Sequence, residues 1–272
     1  METKIIDSEK ISNVKKTEQI VKVFWTGGFD STFRIVQLSR LNITVQPIYI
    51  LCGRKSEANE LNAIEKISDF IVNHQKTRCI FLPLVKVNVE AIKLNESISH
   101  SYERLRQKTA IGPQYDWLAR FAKNNYGLEL SVEKSDLGKT VNCIKNYGEI
   151  NLISNGEVQY YELDKDKSDP DLINVMGSFH FPYPMFDITK QDMLKEYKTM
   201  GLEEVMLMTW FCHTPINNKP CGICHPCKTV IADGLSYRIP QAGQKRYNTE
   251  KKYGNYLWFR IYKKIRWRIK GY

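Results

Sequence analysis

The chain has 272 residues, a formal net charge of +10, 42% hydrophobic residues and 26% charged residues. This composition is ordinary for a globular protein, and the length allows one large α/β domain with smaller attachments. The sequence has no run of about 18 apolar residues, which argues against a transmembrane helix. Residues 1–16 are polar and do not predict a secretory signal, so we expect a cytoplasmic protein.

The first predicted unit in chain order lies at residues 21–32. A β-rich apolar run ends at Gly27 and Gly28, which are soon followed by Asp30 and Ser31. This pattern predicts a strand, a tight loop and a helix that starts near Ser31. Glycines let backbone N–H groups approach an anion, and a helix N-terminus adds its positive dipole. The segment therefore predicts an anion-binding loop in which Asp30 could hold Mg²⁺ between phosphates. A simple glycine turn followed by a helix cap is the alternative.

Strands and helices are predicted to alternate along the rest of the chain. Further strands are expected at 44–51, 78–85, 128–132 and 205–208, and helices at 56–75, 89–106, 115–125 and 189–200. Asn155-Gly156 predicts the turn of a β-hairpin that joins 150–153 to 158–163, before a charged loop at 164–171. The alternation predicts βαβ units in a parallel sheet, with ligands beyond the carboxyl ends of the strands.

Four of the seven cysteines lie within sixteen residues near the end of the chain, at Cys212, Cys221, Cys224 and Cys227. Two C-x₂-C pairs that share Cys224 can place thiolates around one ion, and four thiolates complete the closed tetrahedron of a structural zinc site. His213 or His225 could replace one thiolate. An iron–sulfur cluster is the alternative, because C-x₂-C-x₂-C also begins ferredoxin-type sequences.

Positive charge is concentrated at residues 244–272, which hold ten Lys or Arg and one Glu, a net +9. On a helix, residues 253–272 would place apolar side chains such as Ile261 and Ile265 on one face and basic ones on the other. Three interpretations stay open for this tail. It could dock on the domain, lie on an anionic membrane surface, or bind nucleic acid.

Residues 26–31, Thr-Gly-Gly-Phe-Asp-Ser, resemble the Ser-Gly-Gly-x-Asp-Ser loop of the PP-loop ATP pyrophosphatases. The lysine of a Walker A loop is missing, which argues against P-loop kinases and GTPases. The resemblance implies a Rossmann-like α/β fold of the adenine nucleotide alpha-hydrolase type. Such a fold has a parallel sheet with helices on both faces. Here a small C-terminal zinc-binding element would be added.

Within these enzymes, the chain resembles the 7-cyano-7-deazaguanine synthase family over about residues 20–232. The similarity rests on Thr-Trp-x-Cys followed by Cys-Gly-x-Cys-x-x-Cys at 209–227, and on 186–193, which is similar to a Leu-Asp-Leu-Thr-Lys segment. Gly53-Arg54 is similar to a Gly-Gln-Arg turn of the family. The resemblance implies a ligase of queuosine biosynthesis that makes a nitrile from 7-carboxy-7-deazaguanine, ammonia and two ATP. The carboxylate would be adenylated as pyrophosphate leaves, and ammonia would displace AMP to give an amide. A second ATP would activate the amide, which is dehydrated to the nitrile.

The resemblance also assigns roles to individual residues. Asp30, Ser31 and Lys190 would be catalytic, with Lys190 neutralising phosphate charge. Residues implied in binding ATP and Mg²⁺ are Thr26, Gly27, Gly28, Phe29, Asp30, Ser31, Thr32 and Arg54. The four cysteines would bind Zn²⁺, and a homodimer would be the expected assembly. The corresponding division of the chain is an α/β domain at 1–208, a zinc-binding element at 209–243 and a basic tail at 244–272.

Two departures from the family concern the acceptor substrate. The chain has Ile-Gly-Pro-Gln-Tyr at 111–115, where the family has an Arg-Asn pair, and it lacks the family's Tyr/Pro-Asp-Cys-Arg stretch. A diverged PP-loop ligase acting on another carboxylate is therefore an alternative. A tRNA-modifying PP-loop enzyme, such as a thiolase or a lysidine-type ligase, is a second alternative. A non-catalytic nucleotide- or RNA-binding module is a third.

Overall fold

The structure is a computed structural model that describes residues 19–132, 139–256 and 261. The described strands are Ile20–Phe24 (β1), Thr44–Leu51 (β2), Ile80–Phe81 (β3), Val85–Asn88 (β4), Leu128–Glu129 (β5), Ile150–Asn155 (β6), Val158–Leu163 (β7) and Phe179–Pro182 (β8). The described α-helices are Phe29–Ser39 (α1), Glu57–Asn73 (α2), Glu96–Lys108 (α3), Gln114–Lys123 (α4), Lys139–Tyr147 (α5), Pro170–Met176 (α6), Lys190–Thr199 (α7), Glu203–Met208 (α8), His225–Ala232 (α9) and Gln241–Tyr253 (α10). Short 3₁₀ segments cover Val89–Ala91 and Ser236–Arg238.

The strands form one mixed, largely parallel sheet in the order β3-β2-β1-β5-β8-β7-β6, and β4 also pairs with β2. Parallel pairs join β1 to β2 and β5, and join β5 to β8, whereas β7 runs antiparallel to both β8 and β6. Strands that follow β1 in the chain thus lie on both sides of it. Ligands of open α/β sheets bind where the strand order reverses in this way, beyond the carboxyl ends. That position here is the segment directly after β1.

Helices cover both faces of the sheet because alternate strand residues point to opposite sides. Val23 and Val45 belong to an apolar core with residues of α1, α2, α7 and α8. Phe24 and Ile48 belong to a second core with residues of α3, α4, α5 and α6. A third, smaller core surrounds the cysteines near α9. The chain is therefore an α/β protein with helices on both faces, as predicted, but its sheet is not purely parallel.

Several predicted elements are confirmed. The strand at 44–51 has the predicted limits, and the hairpin of β6 and β7 turns at Asn155-Gly156, where Gly156 has a φ of 58°. Thr189 caps α7 in a reciprocal arrangement with Asp192, and Gly201, with a φ of 68°, follows the end of the helix. Each of these elements is specified by a short-range signal in its own sequence.

Two predicted strands are wrong or incomplete. The strand predicted at 78–85 is divided into β3 and β4, with Pro83 between them. Pro83 has no N–H to donate to β2, and the pairings of β3 and β4 with β2 are separated at this residue. The strand predicted at 205–208 is the helix α8, in which Val205 and Met206 are buried and Leu207 is exposed. Four consecutive apolar residues fit a buried strand and one turn of a buried helix equally well.

Other boundaries shift because caps and turns were not recognised in the sequence. The helix predicted at 89–106 is divided into a 3₁₀ segment and α3, and the Asn95 side chain caps α3 by accepting from the Ile98 N–H. The strand predicted at 128–132 is reduced to β5. Helices α5, α6, α9 and α10 and strand β8 were not predicted, and α6 begins at Pro170 inside the predicted charged loop.

Helix α10 crosses residue 243, where we had placed the boundary between the zinc-binding element and the basic tail. Most of the amphipathic tail at 253–272 lies outside the described residues, so its predicted helix stays a prediction. In the described part of the chain, we find no helix with the length and apolarity needed to span a membrane.

A buried ion pair joins α1 to β5 below the loop that follows β1. Arg34 donates from Nε and Nη2 to the two carboxylate oxygens of Glu129, at 2.7 and 2.6 Å. The Arg34 and Glu129 side chains are 5% and 1% exposed. Removing one partner would leave the other charge buried and unpaired, which is far more costly than losing the pair.

We expect Glu129→Ala to lower the free energy of unfolding by about 3–5 kcal/mol, measured by urea denaturation. The double variant Arg34→Met/Glu129→Leu replaces both charges with apolar groups of similar size and should recover most of that loss. If the single variant lost less than about 1 kcal/mol, the value typical of an exposed pair, the pair would not be buried as described.

Candidate functional site

The loop after β1 has a backbone that only glycine adopts readily. Gly27 has a φ of 66°, and a Cβ there would lie 2.9 Å from the main-chain oxygen of Glu60 in α2. Gly28 is the N-cap of α1, and its carbonyl accepts the Thr32 N–H at 3.1 Å. The helix thus begins at Phe29, two residues before the predicted start, so Asp30 lies in its first turn. The first amides of a helix have no partner within it and are available to an anion.

A cleft of about 500 Å³ lies beside this loop. Six predicted site residues line it together: Thr26, Gly28, Phe29, Asp30, Arg54 and Lys190. They come from the loop after β1, the first turn of α1, the turn after β2 and the start of α7. The structure thus brings Lys190 and Asp30 to one cleft, although 160 positions of sequence separate them.

Three other predicted residues lie differently. Ser31 lines an adjoining cleft of about 680 Å³ that shares the loop as its wall. Gly27 is packed against α2, and Thr32 is fully buried, where its hydroxyl accepts a hydrogen bond from Trp25 Nε1 at 2.9 Å. Gly27 and Thr32 therefore shape the loop from below, and the Thr32 side chain does not reach either cleft.

Arg54 is held in a polar cluster beneath the cleft. Its Nη2 donates to Glu60 Oε2 at 3.0 Å, and Tyr49 OH donates to the same oxygen at 2.8 Å. Ser56 Oγ donates to the other carboxylate oxygen at 2.6 Å. The charge of Arg54 is thus already balanced by Glu60, which limits what it can contribute to a bound anion.

Two serine hydroxyls provide a test of whether the clefts suit a polar ligand. Ser31 Oγ and Ser131 Oγ are both buried and have no hydrogen-bond partner among the described residues. Both line the adjoining cleft, and Ser131 lines the first cleft as well. Buried polar groups are nearly always satisfied in proteins, so two such hydroxyls in one place fit a ligand that supplies their partners.

Tyr197 lies against the underside of the loop. Its ring packs edge-to-face on Phe29 with centroids 5.6 Å apart, and its hydroxyl has no hydrogen-bond partner among the described residues. Burial raises the pKa of Tyr197, and the Asp30 carboxylate raises it further. Tyr197 therefore stays neutral at physiological pH, and its ring supports the loop through Phe29.

The four cysteines meet as predicted. Their sulfur atoms all lie within 4.8 Å of one another, and the Cys221–Cys227 and Cys212–Cys224 pairs are 3.8 Å apart. With Zn–S bonds of about 2.3 Å, the sulfurs of a regular tetrahedron are about 3.8 Å apart. A cluster of four irons would hold its cysteines farther apart, since the irons lie between them. The four cysteines could hold a zinc ion, and neither His213 nor His225 belongs to the group.

Backbone donors prepare the sulfurs for this role. The N–H groups of Ile223 and Cys224 both point to Cys221 Sγ, at 3.4 and 3.3 Å, and the Cys221 N–H points to Cys212 Sγ at 3.2 Å. Such donors favour the thiolate, which is the form that binds metal.

Helix α10 packs directly on the cysteine turn through two glycines. A Cβ at Gly222, which has a φ of 85°, would collide with the carbonyl oxygen of Gly243. Arg246 Nε also donates to the Cys221 carbonyl at 2.7 Å, and Lys228 pairs with Glu250 at 3.0 Å. Helix α10 thus belongs to the same packed unit as the four-cysteine cluster.

The four-cysteine cluster is attached to the loop by the residues just before Cys212. The Trp210 N–H donates to the Gly27 carbonyl at 2.8 Å, and Trp210 Nε1 donates to the Cys212 carbonyl at 2.7 Å. Trp210 therefore connects the two motifs that are farthest apart in the sequence. Whatever holds the cysteines in place also fixes one side of the loop.

Several residues of the clefts were missed by the sequence analysis. Tyr115 lines both clefts, and its hydroxyl shares a 2.7 Å hydrogen bond with Thr140. His213 also lines both, and burial lowers its pKa. Arg238 lines the first cleft from the segment between α9 and α10. The sequence indicated His213 only as a possible zinc ligand and Tyr115 only as part of a departure from the family pattern, and Arg238 belongs to no recognisable motif.

No protein-family model matches this sequence, and a comparison with curated proteins finds no match. Function must therefore be inferred from the arrangement of the chain's own residues. The arrangement joins a glycine loop at a helix N-terminus, a carboxylate, a lysine and a closed cysteine site.

Proposed function

We propose that this chain is an ATP-dependent enzyme that activates a carboxylate by adenylation, joins it to ammonia, and releases AMP and pyrophosphate. The favoured reaction is that of the 7-cyano-7-deazaguanine synthases, with 7-carboxy-7-deazaguanine as the acceptor. The observation that carries the proposal is the position of the Gly27–Gly28 loop. The loop lies at the strand reversal, shares a cleft with Asp30 and Lys190, and is bonded to the cysteine element.

The sheet supports a Rossmann-like fold. If β3 and β4 are counted as one interrupted strand, the parallel strands numbered along the chain have the spatial order 3-2-1-4-5. This order is typical of doubly wound nucleotide-binding domains, which hold phosphates at the loop after the first strand. The glycine loop occupies that position here.

The residues around the loop suit the handling of a triphosphate. In this proposal the first amides of α1 bind phosphate oxygens, and Ser31 Oγ gains the hydrogen-bond partner that it lacks among the described residues. Asp30 would hold Mg²⁺, and Lys190 would neutralise charge on the phosphates. ATP supplies the activation: a carboxylate oxygen bonds to the α-phosphorus as pyrophosphate leaves. Ammonia then displaces AMP at the carbonyl carbon to give the amide, with loss of a proton. A second ATP would adenylate the amide oxygen, which leaves with AMP as the amide nitrogen loses its protons and the nitrile forms.

The metal has a structural role in this proposal. Four thiolates leave no open coordination position for a substrate or water, unlike a catalytic zinc site. Its contribution would be to hold Trp210 against the Gly27 carbonyl and so to keep the loop in shape.

Adenylation of a different carboxylate is the second candidate function. The adjoining cleft is lined by Pro113, Gln114, Tyr115 and Trp117, in the region where the chain departs from the synthase pattern. A pocket that loses one hydrogen-bonding partner of a polar substrate discriminates strongly against that substrate. The wall of this cleft therefore decides which acceptor the enzyme takes.

The experiment incubates the zinc-loaded protein with ATP, Mg²⁺, ammonium and 7-carboxy-7-deazaguanine. AMP and pyrophosphate are quantified, and the organic product is identified by mass spectrometry. We expect the nitrile, with AMP and pyrophosphate formed only when the acceptor is present.

Other outcomes separate the alternatives. AMP formation with another carboxylate and none with the deazapurine would support the second candidate. Turnover that requires tRNA would support a tRNA-modifying enzyme. No ATP turnover with any carboxylate would overturn the proposal and leave a binding module.

A further inference from the structure

Arg238 is held rigidly at the edge of the loop cleft. It ends the 3₁₀ segment Ser236–Arg238, whose neighbours Leu235 and Ile239 are buried in the core around the cysteines. Its Nη2 donates to both the carbonyl oxygen and the hydroxyl of Thr209, each at 2.7 Å. The guanidinium carbon lies 4.9 Å from the centroid of the Phe211 ring, which is a favourable place for a cation.

The charge of Arg238 is not balanced by an acidic side chain. A guanidinium has five N–H donors, and within the described residues only Nη2 of Arg238 donates to protein atoms. Arg54, the other arginine of this cleft, forms a salt bridge with Glu60 at 3.0 Å. Arg34, buried below the loop, forms one with Glu129. Arg238 forms no salt bridge with any described residue.

Burial without an acidic partner has an energetic consequence. It lowers the pKa of Arg238 to about 10, yet the group still carries its charge at pH 7. A partly desolvated cation of this kind gains most from an anion that enters the cleft, because that interaction repays the lost hydration.

The position of Arg238 indicates which kind of anion would bind to its guanidinium. The same cleft is lined by Gly28 of the loop and by Lys190 at the start of α7. Arg238 thus lines the cleft that the helix N-terminus and the lysine also line, and it borders a second cleft of about 870 Å³ beside α2 as well. In the loop cleft all three groups favour negative charge.

We infer that Arg238 is an anion-binding residue of the loop cleft, whose guanidinium binds the phosphate groups of the nucleoside triphosphate held at Gly28. This assignment rests on the proposed nucleotide site. Arg238 of the cysteine element and Lys190 of the α/β domain would then both contribute positive charge to the phosphate site. The metal-bound element would then supply a phosphate ligand as well as support the loop.

The test measures ATP affinity by calorimetry, with Mg²⁺ and without acceptor, for the wild type, Arg238→Gln, Arg238→Lys and Lys66→Gln. Lys66 is the control, because it is exposed and lines the second cleft that Arg238 borders but not the loop cleft. Arg238→Gln should bind ATP about 10- to 100-fold more weakly, as expected for the loss of charged hydrogen bonds. Arg238→Lys should lose less, since it keeps the charge, and Lys66→Gln should bind like the wild type.

Zinc content and Tm are measured on the same samples, so that a merely structural role is recognised. Arg238→Gln that binds ATP within threefold of the wild type would overturn the assignment. The assignment would also be overturned if Arg238→Gln lost both affinity for ATP and zinc, and if Arg238→Lys lost as much affinity as Arg238→Gln. A wild-type protein that does not bind ATP would instead overturn the proposed nucleotide site itself.

Discussion

Replacing Cys221 with serine is expected to abolish metal binding and to unfold the C-terminal element. Cys221 is 1% exposed, and its sulfur accepts two backbone N–H groups and lies 3.8 Å from the Cys227 sulfur. Structural zinc contributes about 10–16 kcal/mol in small zinc-dependent folds. The apolar core around the cysteines is small and cannot replace a contribution of that size. Elemental analysis should show that zinc is lost, and Tm should fall.

Turnover should fall with the metal, because Trp210 connects the cysteine element to the Gly27 carbonyl. Cys79→Ser makes the same chemical change at a cysteine outside the cluster, and it should retain one zinc per chain and wild-type turnover. A zinc-free Cys221→Ser protein with unchanged Tm and turnover would contradict the structural role. Iron with visible absorption in the wild type would contradict the zinc assignment.

Replacing Asp30 with alanine is expected to reduce kcat/KM for ATP-dependent turnover at least about a hundredfold, with little change in stability. Asp30 lies in the first turn of α1 and lines the cleft that it shares with Lys190. An acid at a helix N-terminus contributes only about 0.3–1 kcal/mol to folding. A magnesium ligand at the reacting phosphates contributes several kcal/mol to the transition state.

The measurement compares Asp30→Ala with Asp69→Ala, which removes an exposed carboxylate of α2. Asp69→Ala should be fully active, and both variants should keep their zinc. Turnover of Asp30→Ala at the wild-type rate would reduce the Gly27–Gly28 segment to a simple turn before a helix.

The predicted fold was most accurate where a short segment specifies its own structure. The Asn155-Gly156 turn fixes the hairpin of β6 and β7, and the Thr189–Asp192 pair fixes the start of α7. These signals act over two to four residues and depend little on the rest of the chain. They are therefore visible in the sequence alone.

The predicted elements were wrong where tertiary packing, and not the local sequence, determines the secondary structure. Residues 205–208 are apolar throughout, and only their packing beside α2 and α7 makes them helical. Pro83 interrupts the strand predicted at 78–85, so that β3 and β4 pair separately with β2. The antiparallel addition of β7 to β8 could not be predicted either, because strand β8 carries no turn signal of its own.

The same distinction applies to the candidate site. The glycine loop and the cysteines were found because each is a compact motif, and the sulfur distances confirm that the four cysteines meet. Ser131 and Arg238 reach the cleft from two separate parts of the chain, and neither lies in a motif. Their roles depend on the fold alone, so a single sequence could not reveal them.

The most direct test of adenylation follows the oxygen atoms of the acceptor. The carboxylate is labelled with ¹⁸O and incubated with the protein, ATP, Mg²⁺ and ammonium, and the mass of the released nucleotide is measured. If the carboxylate attacks the α-phosphorus, the AMP must carry one ¹⁸O, because the bridging oxygen of the acyl adenylate leaves with it. Release of ADP and ¹⁸O-labelled phosphate, or of AMP without label, would contradict the proposed reaction at the Gly27–Gly28 loop.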